Sequence, residues 1–101
     1  MHLIQILLPL ADNHHRPLPA ETFTAIKSEL TEKFGGITAY TRSPAEGRWR
    51  SAQQEITDEI IIYEVMVESI DPGWWKDFRH KLQSLFRQEE IIIRALPQQL
   101  L

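Results

Sequence analysis

The segment Glu59-Ile60-Ile61-Ile62-Tyr63-Glu64-Val65-Met66-Val67-Glu68 restricts the fold more than any other part of this chain. Its β-branched and aromatic side chains crowd a helix but fit a pleated strand, so it reads as a strand. Side chains alternate across a strand, so Ile61, Tyr63, Val65 and Val67 share one wholly apolar face. Ile60, Ile62, Glu64, Met66 and Glu68 share the other, which is apolar except for its carboxylates. A strand of this kind needs cover on both sides.

The remaining elements follow from periodicity and punctuation. Leu3 to Leu8 is a short apolar run closed by Pro9 and by the turn-rich Ala11-Asp12-Asn13-His14-His15-Arg16-Pro17, which predicts a first strand and a loop. From Pro19 onward Phe23, Ile26, Leu30 and Phe34 recur at helical spacing. Glu21 lies early and Lys33 late, which suits the helix dipole. Gly35-Gly36 should end that helix, because a left-handed C-terminal residue is least strained as glycine. Ile37 to Arg42 reads as a second strand, Ser43-Pro44-Ala45-Glu46-Gly47 as a turn, and Arg48-Trp49-Arg50 as a short return. Asp71 as N-cap with Pro72 at the first helical position starts a second helix. Its periodicity continues through Gln88. Ile91 to Leu96 forms a last strand closed by Pro97.

The order is β-α-β-β-α-β, and in 101 residues it leaves no linker that could separate two cores. The expectation is one α+β domain over residues 1–101, a ferredoxin-like fold with a four-stranded antiparallel sheet. Right-handed crossovers place the first and third strands at its centre and both helices on one face. Trp75, Phe78, Leu82 and Phe34 should then pack between helices and sheet. The opposite face would carry Leu3, Gln5 and Leu7 from the first strand and Ile92, Arg94 and Leu96 from the last. That face is not built for water, and no chain remains to cover it. A second copy is the simplest cover, which predicts a homodimer in the manner of a dimeric α+β barrel.

Polar residues on that second face converge by parity: Gln5, Thr38, Tyr40, Arg42, Glu64 and Arg94. Charges enclosed between two sheets must satisfy one another or await a polar ligand. In a catalytic site Glu64 would be the general base, Arg42 or Arg94 would hold an anionic or carbonyl-containing substrate, and Tyr40 would donate or relay a proton. Gln5, Tyr40, Arg42 and Arg94 are the ligand-binding candidates. In the competing reading the same residues only specify the dimer of a non-enzymatic interaction or regulatory module. Whether the chain is an enzyme stays open at this point.

Composition narrows the alternatives. A net charge of -3 argues against a broad grip on nucleic acid or an anionic membrane. The absence of cysteine excludes disulfides, thiolate zinc sites and a cysteine nucleophile, and it fits a cytoplasmic protein. The apolar N-terminus lacks preceding basic residues and is too short to span a bilayer. His14-His15 lacks further convergent donors, so no metal site is expected, and no motif calls for a cofactor. His80 reads as a solvated residue, and Trp74-Trp75 as core packing. Arg42, Arg48 and Arg50 with Trp49 read as a solvated hairpin. The third strand lacks the exposed aromatics of RNA-recognition domains, and no N-terminal proline suggests a tautomerase.

Phe34-Gly35-Gly36-Ile37-Thr38, Glu46-Gly47-Arg48-Trp49 and Phe86-Arg87-Gln88-Glu89 before an Ile-rich strand together resemble a group of small uncharacterised bacterial proteins. The resemblance spans about the whole chain. It implies the dimeric ferredoxin-like architecture and assigns no functional residue.

Overall fold

The computed structural model describes the backbone of residues 1–50 and 55–101 and the side chains of residues 1–40 and 60–101. Its elements are β1 (His2–Pro9), α1 (Ala20–Phe34), β2 (Thr38–Arg50), β3 (Glu55–Val67), α2 (Pro72–Leu85) and β4 (Ile92–Pro97). The strands form one sheet in the order β2-β3-β1-β4 with every neighbouring pair antiparallel. This is the expected ferredoxin-like α+β arrangement.

Helix boundaries follow local chemistry. Gly35 closes α1 at φ 81°, in the left-handed region, and its N–H donates to the Thr31 carbonyl. Asp71 caps α2, accepting from the Trp74 N–H at 3.2 Å, and Pro72 follows it. Besides the start of β3 at Glu55 rather than Glu59, two boundaries depart from the sequence reading. Strand β2 does not turn at Ser43-Pro44-Ala45-Glu46-Gly47 but continues to Arg50. A register shift between Tyr40 and Ala45 lets Pro44, which has no N–H to donate, lie within the strand.

The second departure is at the end of α2, which stops at Leu85 instead of running through Gln88. Arg87 adopts φ 51°, its N–H donates to the Ser84 carbonyl, and the Gln88 N–H donates to that of Gln83. These bonds are a Schellman closure with arginine in the usual glycine position. The closure turns Phe86 into the core, where it meets Phe23 edge-on at 5.3 Å, and leaves Leu85 exposed.

The core lies between the helices and one sheet face. Ile4, Ile6 and Leu8 of β1 and Ile61, Tyr63, Val65 and Val67 of β3 are buried against Ile26 and Leu30 of α1 and Trp75, Phe78 and Leu82 of α2. Each fully buried side chain of this type contributes about 1.5–3 kcal/mol. At one end Phe34 stacks on Trp75 at 5.4 Å, and Trp74 stacks on Phe78 at 4.9 Å. The Tyr63 hydroxyl donates to the Phe23 carbonyl, and burial pushes its phenol above the ordinary value. Ile91, just before β4, is buried; within β4 Ile93 is half-buried, whereas Ala95 is exposed on this edge strand, which has a neighbour on only one side.

Candidate functional site

Neither helix packs against the opposite sheet face. Leu3, Leu7 and Ile62 are half-buried there, while Met66 (55%), Ile92 (52%), Tyr40 (51%) and Leu96 (41%) stay exposed. Across this apolar surface runs one transverse polar line. The register pairs Thr38 with Glu64, Glu64 with Gln5, and Gln5 with Arg94, so the line crosses all four strands. Tyr40 lies two residues from Thr38 and reaches the line diagonally, which the spacing of cross-strand neighbours permits.

The side chains are joined in sequence. Gln5 Nε2 donates to Glu64 Oε2 at 2.7 Å, and Tyr40 Oη donates to Glu64 Oε1 at 3.2 Å. Arg94 Nε donates to Gln5 Oε1 at 2.6 Å. The Gln5 amide therefore uses both ends, one toward an anion and one toward a cation. The hydrogen bond to Glu64, and next its negative charge, raise the Tyr40 phenol above its ordinary value.

Four of the residues singled out from sequence, Gln5, Tyr40, Glu64 and Arg94, thus meet in one network. The side chain of Arg42 lies outside the described residues. Glu64 accepts from an in-chain donor at each oxygen, so the described geometry holds it as a hydrogen-bonded member of a row. Two concavities among the described residues, of about 480 and 250 Å³, lie elsewhere. One runs along α1 beside Thr24, Lys27 and Thr31, and the other lies between α2 and Ile93.

The loop between β1 and α1 has a different organisation. Asp12 is buried, and its Oδ1 accepts from the N–H groups of His14 at 2.8 Å and Arg16 at 3.0 Å. Its Oδ2 accepts from Arg16 Nε at 3.1 Å. The backbone bond from Arg16, then that from His14 and the Arg16 charge, hold this carboxyl below its ordinary value against the opposing effect of burial. From sequence alone Asp12 reads only as a turn residue, although an Asp-x-x-x-Arg spacing in such a turn is a usable signal. His14 and His15 are exposed beside it, as is His80 on α2. Among the described residues no three His, Asp or Glu side chains converge as metal ligands, and no helix is long and apolar enough to cross a membrane.

No family model and no curated protein matches the chain. Solved structures share its fold. One is the divalent cation tolerance protein CutA1 from Thermus thermophilus, with a TM-score of 0.62 at 15% identity, covering 97% of this chain and 84% of that one. A phage SAM lyase in complex with S-methyl-5'-thioadenosine gives 0.62 at 14% identity, covering 94% and 79%. The PII-like protein CutA from Nostoc sp. PCC 7120 gives 0.60 at 12% identity, covering 97% and 81%. At such identities the likeness establishes the ferredoxin-like fold. The resemblance to uncharacterised bacterial proteins rests on the sequence segments alone.

Proposed function

We propose that this chain acts as a single ferredoxin-like domain that self-associates through the open face of its sheet, serving as a non-enzymatic interaction or regulatory module. The carrying observation is that Gln5, Tyr40, Glu64 and Arg94 hydrogen-bond one another on a mainly apolar face that neither helix covers. A network satisfied within the chain can be enclosed at far lower cost than isolated charges, and it fixes the lateral register of whatever packs on it. A homodimer is the simplest closed form.

A second reading keeps the polar row as a site for a small anionic or carbonyl-containing molecule held between copies, with Glu64 as base and Arg94 as anchor. Arg94 is exposed and engaged through Nε, and a protein of the same fold is known in complex with a small ligand.

Sedimentation of the wild type and of Glu64→Gln separates the readings. Under the first, the wild type runs as a dimer or larger assembly at micromolar concentration, and the variant is less stable or associates more weakly. A sharp monomer for the wild type would sink the self-association reading. A variant more stable than its parent, with assembly unchanged, favours the ligand reading, because functional sites often trade stability for activity.

A further inference from the structure

We infer that the open sheet face closes on a second copy of this chain with Arg94 of one copy set against Glu64 of the other, so that the polar row is completed between copies. This rests on the self-association reading above and names the contact that would orient it. Glu64 on β3 and Arg94 on the β4 edge stand on the same transverse line with Gln5 on β1 between them. Neighbouring strands are about 4.8 Å apart, so the two backbone positions lie roughly 10 Å apart across the sheet, and the Gln5 amide stands between the charged groups. Gln5 links them by hydrogen bonds but carries no charge.

Among the described residues the ion pairs are Arg16 with Asp12 and Lys81 with Glu29, so neither Glu64 nor Arg94 meets an opposite charge there. Water tolerates that arrangement. Closing Leu3, Leu7, Ile62 and Ile92 against a partner removes the water, and each charge then needs a counter-charge. The row has its anion toward one edge and its cation at the other. A partner whose row runs in the opposite direction supplies both counter-charges at once, Arg94 over Glu64 and the reverse. A partner row running the same way would set like charges together. Electrostatic complementarity thus selects one orientation of the second copy.

Charge reversal tests the pairing. Glu64→Arg and Arg94→Glu are purified separately, checked for folding by circular dichroism, and sedimented alone and as an equimolar mixture. Each alone should self-associate at least about tenfold more weakly than the wild type, because like charges then face each other. Mixed, they should form assemblies containing both variants, detected by a tag on one of them. If the wild type assembles but the mixture is as dissociated as its components, the pairing fails while the self-association reading stands. A monomeric wild type overturns both. Should a reversal not fold, Glu64→Gln and Arg94→Gln replace the pair. The double neutral variant should then associate more tightly than either single one, whereas additive weakening would refute the contact.

Discussion

Gln5 separates Glu64 from Arg94, donating to the first through Nε2 at 2.7 Å and accepting from the second through Oε1 at 2.6 Å. One neutral amide thereby orders an anion and a cation across three strands. Its chemistry has no close substitute, since glutamate accepts but cannot donate and leucine does neither.

Replacing Gln5 by glutamate should therefore destabilise the chain by about 1–3 kcal/mol near neutral pH, the range for breaking a hydrogen bond and leaving its partners unsatisfied. Denaturant unfolding at pH 7 and pH 4 checks this. The loss should shrink at the lower pH, where the introduced carboxyl takes up a proton and can donate again. A loss that does not change with pH would show that the row is not electrostatically coupled.

Phe78 is buried between α2 and the sheet, stacked on Trp74 and edge-on to Trp75 at 5.8 Å. Phe78→Ala should cost about 3–5 kcal/mol, the usual range for deleting a buried ring. Thermal unfolding gives the answer. A variant that melts with the wild type would mean that the helical stripe packs elsewhere.

Asp12 gives the fold an acid-sensitive element. Its folded-state carboxyl lies below the ordinary value of 3.8, so it contributes stability that is fully present above the unfolded-state value. That contribution fades as pH falls through the ordinary range toward the lower folded value. Stability measured from pH 6 down to pH 2 should decline for the wild type and decline less steeply for Asp12→Asn, which starts from a lower level. Parallel curves would show that the turn around Asp12 does not titrate with folding.

Arg87 holds φ 51° at the end of α2, a conformation that disfavours side chains bearing a Cβ. Its backbone N–H already closes the helix onto Ser84, and its carbonyl accepts from the Asn13 N–H at 3.3 Å. Arg87→Gly keeps both bonds and should stabilise the protein by about 0.5–1 kcal/mol. A lower melting temperature would reveal a contact of the guanidinium that outweighs the strain.

Much of the architecture is legible in the sequence because its signals are local. The alternation in β3 sorts Ile61, Tyr63, Val65 and Val67 from Ile62, Glu64 and Met66, and those are the buried and unburied sides of that strand. Asp71-Pro72 and Gly35 mark helix ends through bonds made within a few residues. Parity also brought Gln5, Tyr40, Glu64 and Arg94 to one face.

What alternation determines is a face, and only tertiary pairing decides who stands beside whom on it. Gln5 and Arg94 are 89 positions apart along the chain, and Gln5 and Glu64 are 59 apart. Their contact depends on strand register, which the whole set of buried side chains selects at once. The end of α2 was illegible for a related reason. Its helical repeat continues past Leu85, but burying Phe86 and joining Gln88 to the Ala11 carbonyl at 2.9 Å favours the left-handed turn at Arg87. The continuation of β2 past Pro44 likewise follows from pairing with β3 around a register shift. Sequence by itself determined the element order and the side of the sheet on which each residue lies, because turn chemistry and side-chain alternation act over a few residues. The joining of Gln5, Tyr40, Glu64 and Arg94 into one row was decided by the tertiary structure, because hydrogen bonds between distant strands exist only once their register is set.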